Sequence, residues 1–125
     1  MLHEELTEKI LEACFEVSNE LGVGFVESVY QKATMIAVRD KNLHVEAEVP
    51  LNVDFRDKNV GQFFADLLVE KKVILELKAV RELAPEHEAQ IINYLHATGM
   101  DVGLLLNFGK SRLQFRRFDR RKRTD

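Results

Sequence analysis

Residues 60–80 read VGQFFADLLVEKKVILELKAV, two apolar runs separated by Glu70-Lys71-Lys72. Short runs of Val, Leu, Ile and Phe around a polar break predict an antiparallel hairpin. With a three-residue loop, Val69 opposes Val73 and Leu67 opposes Leu75. One face then carries Phe63, Ala65, Leu67, Val69, Val73, Leu75, Leu77 and Ala79, all apolar. A slip by one residue would bring Asp66, Glu76 or Lys78 onto that face, so burial fixes the register. On the other face Asp66 stands opposite Glu76, and Phe64 opposite Lys78. Directly opposed side chains have Cβ atoms ~4.5–5.5 Å apart, where two carboxylates repel. Lys78 supplies one compensating charge on that face, and a divalent cation would supply more. Two carboxylates without imidazole or thiolate suit a hard cation, Mg2+ or Mn2+. The same spacing also fits a solvent-facing strand on which Glu76 and Lys78 simply pair. Leu68 and Ile74 speak against that, because they indicate that the face is partly covered.

Working outward, Leu6, Ile10, Ala13, Cys14, Val17 and Leu21 recur at helical spacing and predict an amphipathic helix over about residues 5–21. Gly22-Val23-Gly24 stops it. A second helix is expected from about Phe25 to Lys41, burying Val26, Val29, Ala33 and Ile36 or Ala37. The period then changes to two. Val45, Ala47, Val49, Leu51, Val53 and Phe55 alternate with polar residues, and Pro50 places this strand at or near a sheet edge. Pro85 suits the first turn of a third helix and Gly99 its end. Val102–Asn107 (VGLLLN) reads as a buried strand lying parallel to 73–80 through a right-handed crossover. A weaker strand around Leu113–Phe118 completes the order ααβββαβ(β), an α/β (α+β) class with a mixed central sheet flanked by helices.

Composition narrows the class. The 125 residues suffice for one core and are too few for two. With 46% hydrophobic and 31% charged residues, the chain reads as a globular domain. No apolar stretch approaches the roughly 18 residues of a membrane span, and no basic segment followed by an apolar run opens the chain. Its single cysteine excludes an internal disulfide and a cysteine-ligated zinc or iron–sulfur site, so a reducing cytoplasm is the expected compartment. Cys14 lies on an apolar stripe, as a packed thiol does. No phosphate-binding glycine loop occurs. Residues 1–108 hold 10 Lys/Arg against 19 Asp/Glu, and residues 109–125 hold 8 against 2, so a net charge of −3 conceals an acidic body (−9) and a basic end (+6). Arg116, Arg117, Arg120, Arg121, Lys122 and Arg123 in that end read either as a phosphate-contacting arm or as a solvated terminus.

Asp66, followed after nine residues by Glu76-Leu77-Lys78, resembles the D…ExK signature of the PD-(D/E)xK nuclease superfamily. Gly24-Phe25-Val26-Glu27-Ser28-Val29-Tyr30 is similar to the GxxExxY motif of a small family within it. The stretches FADLLVE (64–70), ELKAV (76–80), HEAQ…NYL (87–95) and GLLLNFG (103–109) resemble that family too. The pattern departs at Ser18, Val23 and Phe64, where His, Pro and Arg are expected.

The resemblance implies a restriction-endonuclease-like core, with a single nuclease domain over 1–118 and a basic tail over 119–125. It implies Mg2+- or Mn2+-dependent hydrolysis of phosphodiester bonds in DNA or RNA, in a protein that can pair as a homodimer and needs no membrane. Asp66, Glu76 and the Leu77 carbonyl would hold the metal, and Lys78 would position water and offset phosphate charge. Glu27 is read two ways: as a supporting metal or water ligand, or as a third-position residue in a helix capped at Gly24. Tyr30 is expected to pack with its hydroxyl tied to the site. Gln90 and Tyr94 share a helix stripe with His87; Gln90 is expected to meet the lysine, a water or a phosphate, and His87 to be structural. The competing reading is a binding or assembly module that keeps the fold without turnover.

Overall fold

A computed structural model describes residues 2–120. The elements are α1 (Glu4–Leu21), α2 (Glu27–Arg39), β1 (Val45–Phe55), β2 (Lys58–Val69), β3 (Val73–Lys78), α3 (Pro85–Thr98), β4 (Val102–Asn107) and β5 (Gln114–Asp119). The sheet order is β1-β2-β3-β4-β5. β3 and β4 run parallel, from Val73↔Val102 to Lys78↔Asn107, and the other neighbours are antiparallel. The mixed sheet is therefore the expected one. Pro50 lies on the outermost strand, where its missing N–H is tolerated.

Helices cover both faces of the sheet. Ile10, Ala13, Cys14 and Val17 of α1, with Tyr30 and Val38 of α2, pack on Leu67, Val69, Val73, Leu75, Leu77, Leu104 and Leu106. On the opposite face Leu95 of α3 packs on Leu68 and Ile74. All six β4 residues are buried, as expected of its almost continuous apolar run, and the one polar member, Asn107, is hydrogen-bonded. Cys14 is fully enclosed, and burial pushes its thiol up to about 12, which makes it inert. α3 starts on Pro85 and stops at Gly99, whose φ of 73° is the left-handed conformation of a helix end.

Two expectations for α2 are corrected. Its buried stripe is Tyr30, Thr34 and Val38, one position round from the expected one, and Val26 and Ile36 are exposed. The residue capping its start is Val26, not Gly24, so Glu27 is the first helical residue and not the third. The cause lies in Tyr30. Its hydroxyl donates to the Gly22 carbonyl at 2.6 Å and accepts the Phe25 N–H at 3.3 Å, which holds the preceding residues out of the helix.

The hairpin register is as expected at Leu67↔Leu75, Leu68↔Ile74 and Val69↔Val73. It stops there, so neither Asp66 with Glu76 nor Phe64 with Lys78 forms a ladder pair. The uniformly apolar face is also divided. Leu67 and Val69 lie beneath α1 and α2, whereas Ala65 joins Leu68 and Ile74 beneath α3, and Phe63 stacks on Tyr94 with ring centroids 3.5 Å apart. The β1–β2 ribbon turns over at one step, where pairing skips from Ala47↔Leu67 to Val49↔Ala65. Glu48, at the skipped position, has a φ of 52°. Such a value is rare for a strand residue with a side chain. Beyond that step β2 leaves β3 and continues with β1 alone.

Candidate functional site: an acid pair in a strand fork

The site is built where β2 and β3 separate. The N–H of Asp66 donates to Glu76 Oε2 at 3.0 Å, and Asp66 Oδ2 accepts the N–H of Leu77 at 2.8 Å. Each carboxylate thus occupies a main-chain bonding place that the departing strand has left open. Glu76 is 6% exposed. Burial first, and the charge of Asp66 second, push its carboxyl up to about 8, and Lys78 opposes this only weakly. Among the described residues Lys78 makes no direct ion pair; its charge acts on Glu76 through space and offsets only part of what burial and Asp66 impose. Tyr94, stacked on Phe63, lies in the same field: burial, then Glu76 and Asp66, raise its hydroxyl above the usual range.

The first turns of α2 face the fork across a cavity of about 120 Å³ lined by Glu27, Ser28, Gln31, Asp66 and Leu77. Gln31 Nε2 donates to the Asp66 carbonyl at 2.9 Å and to Glu48 Oε2 at 2.8 Å, tying helix, fork and the strained step of β1 together. The carbonyl of Lys78 accepts the Phe108 N–H beyond β4 at 2.8 Å. Successive carbonyls of a strand point to opposite sides, so that of Leu77 faces the fork. Among the described residues no three His, Cys, Asp or Glu side chains gather closely enough to hold a metal. The donors are therefore a carboxylate pair, with Glu27 across the cavity and not a third close member.

A fork carrying Asp66 and Glu76-x-Lys78 on adjacent strands can be set beside known proteins. The model of the PD-(D/E)XK nuclease superfamily matches residues 4–118. The chain belongs to that superfamily. The crystal structure of SSO0001 has the same fold, with a TM-score of 0.58 at 17% identity. It is matched over 94% of this chain, which spans 59% of that protein's length. No curated protein matches.

In this PD-(D/E)XK domain the strand behind Lys78 is clamped by Asn107. Its Oδ1 accepts the N–H groups of Val80 and Gly109, each at 3.0 Å, and its Nδ2 donates to the Val80 carbonyl at 2.9 Å. A β-carbon on Gly109 would lie 2.2 Å from the Val80 carbonyl oxygen. The GLLLNFG stretch thus fixes the backbone from which Lys78 projects.

Other candidate residues fall differently. Tyr30 is fully buried and stacks on Phe108 at 4.8 Å, and its hydroxyl serves the α1–α2 connection, not the acid pair. Gln90 is exposed on α3, one turn before Tyr94, and its side chain makes no hydrogen bond among the described residues. His87 accepts the Ala84 N–H at 3.0 Å and caps α3, as a structural residue should. Arg117 and Arg120 are no free arm. Arg117 bonds Asp119, Thr7 and the Leu2 carbonyl, and Arg120 bonds Asp101 and the Met100 carbonyl. Arg116 is half exposed, 3.9 Å from Glu88. Arg121, Lys122 and Arg123 lie outside the described residues. Among those described, no helix is long and apolar enough to cross a membrane. Gln31 and Glu48 escaped the sequence reading. Gln31 had a signal, since it lies one turn from Glu27 on the same helix face; Glu48 had none, being one of several exposed charges on an edge strand.

Proposed function

We propose that the chain is a Mg2+- or Mn2+-dependent nuclease of the GxxExxY kind, with one nuclease domain over residues 1–118. The observation that carries this reading is the acid pair. Two carboxylates are fixed by main-chain N–H groups of the facing strand, Asp66 by Leu77 and Glu76 by Asp66, with Glu76 buried and held near 8, an arrangement that a cation relieves and a merely structural contact does not require. The donor set fits a hard ion: carboxylates of Asp66 and Glu76 with the Leu77 carbonyl, and no nitrogen or sulfur. When bound, the ion supplies Lewis acidity at a phosphoryl oxygen. Lys78, free of any ion pair among the described residues, orients the attacking water and offsets the charge growing on the phosphate. Glu27 holds water across the cavity. Tyr94 steadies the fork through its stack on Phe63, and exposed Gln90 offers an amide to sugar or phosphate. Arg116, Arg121, Lys122 and Arg123 contact flanking phosphates.

The test is cleavage of DNA and RNA in Mn2+ or Mg2+ against a chelator, for wild type and Asp66→Asn. Metal-dependent cleavage that falls at least about 100-fold in the variant supports the reading. Among the described residues no third acidic ligand lies close, which favours the alternative, a module that binds without turnover, and equal residual activity in both proteins would select it.

A further inference from the structure

Phe64 lies two residues before Asp66 and is 52% exposed. Its neighbours Phe63 and Ala65 pack beneath α3, so alternation turns Phe64 to the other side of the ribbon, that of α2 and the cavity. The N–H of Asp66 points away from β1, toward Glu76. In an antiparallel ladder residues two apart share that direction, so the N–H and C=O groups of Phe64 and Gln62 line the edge that β3 has left. Pro50, opposite Phe64, has no N–H to give, in keeping with this alternation. An open ring and main-chain donors and acceptors that have no strand partner among the described residues therefore continue the fork along β2.

Charge indicates what that edge can take. Duplex binders neutralise phosphates with clustered Lys and Arg. Here residues 1–108 carry a balance of −9, and Arg117 and Arg120 are engaged within the fold. With Arg116 and the basic end of the chain left as the phosphate contacts, most of the affinity has to come from bases, whose faces and edges are accessible when unpaired. We propose that the substrate of this site is single-stranded nucleic acid, or the unpaired end of a duplex, with a base stacked on Phe64 beside the phosphate presented to Asp66 and Glu76. This inference rests on the nuclease reading, and two readouts separate them.

The first is binding. Fluorescence anisotropy with labelled DNA and RNA strands, and with blunt duplexes of the same sequence, is measured in Ca2+. Single strands should bind at least about ten-fold tighter than duplexes. Phe64→Ala should lose about ten-fold in single-strand affinity at unchanged Tm, and Phe64→Trp should restore it. Equal or tighter duplex binding, or an unaffected Phe64→Ala, overturns the proposal. The second readout is cleavage in Mn2+. Single-strand binding through Phe64 without any cleavage keeps the binding assignment and overturns the nuclease reading. Duplex cleavage at the wild-type rate by Phe64→Ala does the reverse.

Discussion

Asp66 and Glu76 hold one another through the main chain, Asp66 N–H to Glu76 Oε2 at 3.0 Å and Leu77 N–H to Asp66 Oδ2 at 2.8 Å. The contact is both repulsive, through two carboxyl groups, and structural, through two main-chain donors that need acceptors. These components separate by mutation. Asp66→Asn keeps an oxygen for Leu77 and removes the charge, so the metal-free variant should be at least as stable as wild type. Asp66→Ala leaves the Leu77 N–H without its acceptor and should be about 1–3 kcal/mol less stable than Asp66→Asn. Urea unfolding without metal measures both, and an alanine variant as stable as the asparagine one contradicts the geometry.

The raised carboxyl of Glu76 links stability to pH. Its pKa rises on folding from 4.5 to about 8, so the folded protein favours the neutral form. That contribution is complete below pH 4.5 and is lost as pH rises through about 8, with a slope of up to about 1.4 kcal/mol per pH unit. Metal-free protein should therefore melt lower at pH 8 than at pH 6 by more than Glu76→Gln does. Metal binding at pH 7 should release protons, seen as a dependence of the binding heat on buffer ionisation.

Gln31 holds the Asp66 carbonyl and Glu48 together. Gln31→Ala should weaken Mn2+ binding several-fold while costing about 1 kcal/mol of stability, since it loosens the backbone under one carboxylate. Glu48 has a φ of 52°. Glycine adopts that conformation freely, so Glu48→Gly should be no less stable than Glu48→Ala, although glycine ordinarily weakens a strand. Thermal melts of the pair decide this.

Gly109 leaves no room for a β-carbon beside the Val80 carbonyl. Gly109→Ala should displace the Asn107 clamp, costing about 1–3 kcal/mol and reducing activity through misplacement of Lys78. A variant with wild-type stability and cleavage rate would show that the clamp does not position the lysine.

What was legible in the sequence was whatever burial dictates. The register Leu67↔Leu75 followed from the exclusion of charges from one face, and the parallel pairing of Val102–Asn107 from the helix that separates it from 73–80. The fork was not legible, because it depends on where β1 turns over at Glu48, a backbone conformation that its side chain does not announce. Without it, Asp66 and Glu76 look like an ordinary cross-strand pair and Phe64 like a partner of Lys78. Arg117 reads as part of a basic tail, since nothing in the sequence shows that it meets Thr7 and the Leu2 carbonyl, more than a hundred residues earlier in the chain. That Tyr30 packs is legible in the sequence, but the partner of its hydroxyl is not. The Gly22 carbonyl lies close to it only because the α1–α2 connection folds back on the helix.

Asp66 and Glu76 should together form one cation site. Isothermal titration of metal-free protein with Mn2+, beside Asp66→Asn and Glu76→Gln, tests it most directly. Wild type should show one site per chain, lost in both variants while each remains folded. Equal Mn2+ binding by all three proteins, or none by wild type with or without a single-stranded oligonucleotide, would contradict it.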